Sequence, residues 1–168
     1  MAVTLFIMRH GDAEPAQALK ADAVRPLSTM GEHEVLASAT WLNDYIQQRG
    51  GNGLDWLTVS PYIRAQQTAT IVESEVAVST RDICEDAVPE SNPETFVDWF
   101  FAMLQTHHMN AKHVMLVSHM PFISYLVATL DKQTPPLLFP TAAMAEIRID
   151  VNAGRAEFVR MIAPSAAE

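Results

Sequence analysis

Val3-Thr4-Leu5-Phe6-Ile7-Met8-Arg9-His10-Gly11-Asp12 is the stretch from which the fold is read. Its first six residues form a short, continuous run rich in large apolar side chains, the pattern of a strand buried on both faces. A fixed cation, an imidazole and a glycine follow at once. Burying arginine and histidine beside such a strand is costly unless they find partners or a ligand. In an open α/β sheet, ligands bind at the carboxyl ends of the strands, where this abrupt change falls. The alternative for this stretch alone is an ordinary strand followed by a polar turn.

Working outward, strand and helix patterns alternate. Residues 13–27 read as a long alanine- and proline-rich loop, ending in Asp22-Ala23-Val24-Arg25-Pro26-Leu27-Ser28. Thr29 to Glu32 offers a Thr-x-x-Glu capping box. Val35, Leu36, Ala39, Leu42 and Ile46 then recur at helical spacing up to Arg49, before the break Gly50-Gly51-Asn52-Gly53. Leu54 to Ser60 reads as a second strand. Ser60-Pro61 reads as a helix start, with a capping hydroxyl and proline at the first helical position. The helix runs over 62–74, and a short edge strand with a loop follows over 79–90. Pro93 to Thr106 is helical, Lys112 to Ser118 a buried strand, and Phe122 to Leu130 an apolar helix ended by Thr134-Pro135-Pro136. Ala142 to Asp150 and Arg155 to Ile162 read as a hairpin around Val151-Asn152-Ala153-Gly154. This alternation predicts a three-layer α/β/α sandwich, with a mainly parallel central sheet and a C-terminal antiparallel hairpin. Residues 1–162 are expected to form a single domain, and 163–168 a frayed tail.

Composition narrows the function. The chain has 168 residues, of which 49% are hydrophobic and 18% charged, a globular balance with enough chain for a sizeable core. No apolar run approaches the ~20 residues of a membrane span. The net charge of −9 argues against nucleic acid as a partner, so an anionic ligand has to be held by a local cluster of cations. The lone Cys84 cannot form an internal disulfide. With no leader pattern at the N-terminus, the expected location is cytoplasmic.

Three strands end alike, in one or two functional residues followed by a loop or helix: Arg9-His10-Gly11, Ser60-Pro61-x-x-Arg64 and Ser118-His119-Met120-Pro121. In a parallel sheet these ends share one side. Two of them also offer helix N-termini, whose free N–H groups favour anions. Two arginines, two histidines and helix N-termini suit a small dianion, and phosphate fits best, since each arginine can grip two oxygens. Taken singly, each has a bland reading: a turn histidine, or a solvated first-turn arginine.

Arg9-His10-Gly11 after the first strand, Ser60-Pro61-Tyr62-Ile63-Arg64-Ala65-x-Gln67-Thr68-Ala69, and Val117-Ser118-His119-Met120-Pro121 resemble the histidine phosphatase (phosphoglycerate-mutase-like) superfamily, in the right order over nearly the whole chain. Short length and Arg25-Pro26-Leu27-Ser28-x-x-Gly31 are similar to the small SixA-type phosphohistidine phosphatases. The resemblance implies that His10 is the nucleophile, attacking phosphorus through an unprotonated nitrogen while a backbone carbonyl holds the proton on the other. It implies that Arg9 and Arg64 grip the phosphoryl oxygens, and that His119 contacts the same group and is charged there. It implies no cofactor and no metal. Many family members place an acid in the loop after the third strand to protonate the leaving group. Glu90 is the candidate here, with Glu85 and Asp86 as poorer ones and a solvated loop acid as the alternative. Arg25 either reaches the mouth of the site as a phosphate contact or is structural.

The expected activity is therefore that of a metal-independent phosphatase acting on a histidine-phosphorylated signalling or phosphotransfer protein through a covalent phosphohistidine. A chain this short leaves little for a lid, and an open site admits a phosphorylated side chain. The alternatives are a phosphatase for small phosphate monoesters and, in a different class, a non-catalytic module that binds phosphoprotein. His107-His108, His33, His113, Trp41, Trp56, Trp99 and Cys84 are read as structural.

Overall fold

The structure, a computed structural model, describes residues 2–164. Six strands form one sheet: β1 (Ala2–Arg9), β2 (Trp56–Val59), β3 (Arg81–Ile83), β4 (His113–Ser118), β5 (Met144–Asp150) and β6 (Arg155–Ile162). Their spatial order is β3-β2-β4-β1-β5-β6. β1 to β4 pair in parallel, whereas β5 runs antiparallel to β1 and β6 antiparallel to β5. Four helices cover the sheet: α1 (Thr29–Gln48), α2 (Ile63–Glu75), α3 (Pro93–Gln105) and α4 (Phe122–Leu130). The expected sandwich with its C-terminal hairpin is the fold observed.

Handedness explains the layers. The chain leaves β1, skips over β4 to β2, and then moves outward to β3. Right-handed crossovers in that direction put α1 and α2 on one face. The return from β3 to β4 reverses direction, so α3 crosses on the other face. The core divides accordingly. Leu5 and Ile7 of β1 join Phe96, Phe100 and Phe122 on the α3/α4 side. Phe6 and Met8 join Val35, Leu42 and Val72 on the α1/α2 side. A strand buried on both faces needs no polar alternation, which is why β1 reads as an unbroken apolar run.

Local expectations differ from what is observed at several points, as where β5 begins at Met144 and not at Ala142. Helix α1 is capped one residue earlier than the Thr-x-x-Glu pattern implies: the Ser28 hydroxyl accepts from Gly31 N at 3.0 Å, and Thr29 is the first helical residue. Helix α2 begins at Ile63, after Tyr62 and without a side-chain cap, so Ser60 and Pro61 lie outside it. β2 is shorter than residues 54–60, with Leu54 making only an isolated bridge to Val78. Of the expected tail, Ala163 packs against the core and residues 165–168 lie outside the described residues.

Candidate active site

β1 and β4 are neighbours, yet the chain leaves them toward opposite faces, to α1 and α4. That divergence opens a crevice at their carboxyl ends, the place where doubly wound sheets hold ligands. Arg9 aligns with Ser118 in the register, so His10 and His119 emerge side by side with ring centroids 5.1 Å apart. His10 N donates to Ser118 O at 3.1 Å, and Ala142 N donates to His10 O at 3.0 Å. Ala142, the donor of the second bond, stands at φ 62, in the left-handed region that a non-glycine residue enters at a cost of ~1 kcal/mol. Both sides of the His10 peptide are thereby fixed.

The His10 ring is held in one orientation. Its Nδ1 lies 2.7 Å from Gly11 O, which accepts the proton there. Its Nε2 lies 3.2 Å from Arg64 Nε, an obligate donor. The two contacts together select the tautomer with the proton on Nδ1 and a free electron pair on Nε2. Burial, and then the charges of Arg64, Arg9 and Arg25, push the His10 pKa down to about 4. His119 is only 1% exposed. Burial, and then His10 and Arg64, push its pKa down to about 3. Burial and the neighbouring arginines thus keep both rings neutral, whereas the charged His119 implied by the resemblance refers to contact with a phosphoryl group.

A cavity of about 300 Å³ opens over His10, with Arg9, Arg25 and Arg64 in its wall. Arg9 donates from Nη1 to Phe139 O at 2.7 Å, while its Nε is buried without a partner. Arg64, the second residue of α2, is 4% exposed. Beyond its contact with His10 it donates from Nη1 to Asp22 O at 2.7 Å and from Nη2 to Asp22 Oδ2 at 3.0 Å. Three cationic side chains and an unprotonated ring nitrogen thus line one cavity.

No family model matches this chain. It is 33% identical over 161 residues to the phosphohistidine phosphatase SixA of Escherichia coli, covering 95% of this chain and 93% of that protein. It belongs to the SixA family. A SixA homologue from Haemophilus influenzae is 29% identical over 153 residues, covering 89% and 90% of the two chains. Among solved structures, the histidine phosphatase SixA complexed with tungstate superposes with a TM-score of 0.86 at 29% identity, over 99% of this chain and 100% of that one.

Within this SixA-family fold, four of the residues picked out in the sequence are brought together: Arg9, His10, Arg64 and His119. Arg25 also reaches the cavity wall, where its Nη1 pairs with Asp22 Oδ1 at 2.9 Å and its Nε donates to Glu14 O at 3.0 Å. Glu90 is not brought to the cavity. Its neighbour Pro89 lines the wall, and Glu90 itself is exposed, as are Glu85 and Asp86. The carboxylates that do line the cavity are Asp12 and Asp22. Asp22 lies in a 3-10 turn, Asp22–Val24, in the long loop after β1, and hydrogen bonds from both Arg25 and Arg64 hold its pKa below the usual carboxylate value. That loop is pinched at its base by an Ala13–Leu27 bridge.

Several supporting residues gain a role from the fold, among them Gln67, Thr68 and Gly31, which the sequence shows only as parts of motifs. Thr68 Oγ1 accepts from Gly11 N at 3.2 Å, and Gln67 Oε1 accepts from Leu27 N at 2.7 Å, so α2 holds both ends of the loop region. Glu34 accepts from Asp12 N at 2.9 Å and from the Thr141 hydroxyl, joining the first loop to the one before β5. A Cβ on Gly31 would meet Asp12 O at 2.0 Å, so the loop after His10 can lie against α1 only because residue 31 is glycine. Among the residues read as structural, His108 stacks on Trp56 at 4.1 Å, His33 is exposed and Cys84 is buried. Burial lifts the Cys84 thiol to about 11, so it remains protonated.

Proposed function

We propose that this protein is a phosphohistidine phosphatase with His10 as its nucleophile. The observation that carries the reading is the pair of contacts on the His10 ring, Nδ1 to Gly11 O and Nε2 to Arg64 Nε, which leaves an unprotonated nitrogen facing the cationic cavity. In the first step Nε2 attacks phosphorus in line. The substrate's P–N bond breaks, and its electron pair leaves with the substrate imidazole, which departs neutral when its distal nitrogen carries the proton. In the second step water attacks phospho-His10 and releases inorganic phosphate and the free histidine. Arg9 and Arg64 stabilise charge on the equatorial oxygens, and His119 donates to one of them.

A histidine nucleophile suits this substrate because the bond broken and the bond formed are alike. Transfer from imidazole to imidazole is nearly isoenergetic, and the leaving group needs far less help than an alkoxide. A well-placed general acid is correspondingly less necessary, in keeping with the exposed position of Glu90, which remains the nearest candidate by sequence. Arg25 serves as a phosphate contact at the mouth. The substrate is a histidine-phosphorylated protein of the phosphotransfer type, met in the cytoplasm; with Cys84 as its lone cysteine, the chain has no internal disulfide that would need an oxidising compartment.

The test offers a histidine-phosphorylated phosphotransfer protein and a sugar or nucleotide monophosphate side by side. Faster release of phosphate from the phosphoprotein is expected. Preference for the ester would favour a small-molecule phosphatase, and binding without turnover would favour a non-catalytic module.

A further inference from the structure

His119 is anchored by a residue that lies outside the helix it was expected to cap. Ser60 Oγ stands 2.6 Å from His119 Nε2, and both residues are buried. The same oxygen accepts from Tyr62 N at 3.2 Å. Ser60 is itself rigidly placed: its N donates to Val117 O at 3.0 Å, and Gln66 Nε2 donates to its carbonyl at 2.7 Å. The other ring nitrogen, His119 Nδ1, is buried with no partner.

Two proton arrangements are possible, and they differ in what they strand. If Nε2 carries the proton, it donates to Ser60 Oγ, which then accepts twice while its own O–H finds no acceptor. The bare electron pair on Nδ1 is stranded as well. If instead Ser60 donates to Nε2, the hydroxyl is satisfied on both sides and the only orphan is an N–H at Nδ1. An unmet buried polar group costs ~1–3 kcal/mol, so one orphan is preferred to two. The remaining orphan is moreover a donor, in a ring packed against the His10 nucleophile, and a donor is what a phosphoryl oxygen satisfies.

We propose that Ser60 is a positioning residue: its hydroxyl donates to His119 Nε2, fixes the proton on Nδ1, and presents that N–H as a neutral donor to the phosphoryl group. The inference rests on the phosphatase reading for the identity of the anion, but not for the tautomer. A neutral donor has a specific advantage. It stabilises charge as it develops without giving a proton to the leaving nitrogen or to the His10 electron pair beside it.

The test is histidine-15N NMR of the full chain, with long-range correlations that tell which ring nitrogen is protonated. The wild type is expected to show His119 protonated at Nδ1 with Nε2 bare, and added inorganic phosphate should move the Nδ1 proton downfield. In Ser60→Ala the tautomer should become mixed or invert, while the His10 pattern persists. With a phosphohistidine protein as substrate, kcat should fall roughly tenfold with KM within about twofold, the size expected for one orienting hydrogen bond. Ser60→Thr, which keeps the hydroxyl, should restore both tautomer and kcat. A wild-type His119 protonated at Nε2, or a Ser60→Ala variant that keeps the Nδ1 tautomer and full kcat, overturns the proposal. If the wild type shows the Nδ1 tautomer and the phosphate response but no turnover of phosphohistidine, the function reading fails and the role of Ser60 stands.

Discussion

Arg64 Nε lies 3.2 Å from the Nε2 nitrogen of His10, so one guanidinium both identifies the free electron pair and supplies charge beside it. In the proposed reaction, a phosphoryl group entering the cavity would replace His10 as the partner of that N–H while His10 attacks. Arg64→Ala removes the donor, the fork and the bond to the Asp22 carbonyl together. Activity on phosphohistidine protein is expected to fall by roughly 10²–10³, the range for losing one preorganised charge-stabilising donor. Circular dichroism and the thermal midpoint check folding. Near-wild-type activity would show that Arg64 does not serve the reaction.

Asp22 occupies the outer edge of the same guanidinium, through its carbonyl at 2.7 Å and its carboxylate at 3.0 Å. A bound dianion competes with that carboxylate. Because the Asp22 side chain is half exposed, solvent screens the competition and keeps its worth modest. Asp22→Asn is expected to bind inorganic phosphate roughly two- to fivefold more tightly by calorimetry. An unchanged or weaker affinity would mean that Asp22 supports Arg64 and does not compete for it.

The pH profile follows from burial. With its pKa pushed down to about 4, His10 stays neutral far below the ordinary histidine range, so in a histidine-15N NMR titration of the free protein its ring should stay neutral from pH 7.5 to 5 and take up a proton only near pH 4. A His10 ring that titrates near 6.5 would contradict this. Stability carries the opposite side of the same linkage. His10 and His119 are neutral when folded, but each takes up a proton when unfolded below about pH 6.5. The unfolded chain then binds more protons, and the thermal midpoint is expected to fall as pH drops from 6.5 toward 4.

Gly31 is where α1 and the loop after His10 come closest, and a methyl group there would stand 2.0 Å from Asp12 O. Gly31→Ala forces the backbone apart at the strand end that carries the nucleophile. It should cost about 2–3 kcal/mol of stability, as overpacking does, and lower kcat because the His10 loop is displaced. Denaturant unfolding measures the first effect and steady-state kinetics the second. A variant with wild-type stability would mean that the loop yields without strain.

Much of this site is legible in the sequence because strand ends in a parallel sheet converge whatever their separation along the chain. Arg9 and His10, Arg64, and His119 each follow a recognisable strand, and the topology does the rest. The unbroken apolar run of β1 likewise announces a strand covered on both faces. Residues with more than one local use are not legible in this way. Ser60 before a proline reads as a helix cap, yet its hydroxyl serves His119; Thr29 has the spacing of a cap, yet Ser28 performs it. Asp22 sits in a loop without periodicity, and only the folded loop brings it to Arg64. Glu90 shows the converse: proximity along the chain to Pro89, which lines the cavity, does not bring its side chain there.

Trapping shows whether His10 accepts the phosphoryl group. The protein is mixed for seconds with a 32P-labelled phosphohistidine protein, quenched in alkali, separated from the donor and digested. An acid-labile, alkali-stable label is expected on the peptide containing His10, absent from His10→Ala. Label on any other residue, or turnover by His10→Ala at the wild-type rate, would contradict it.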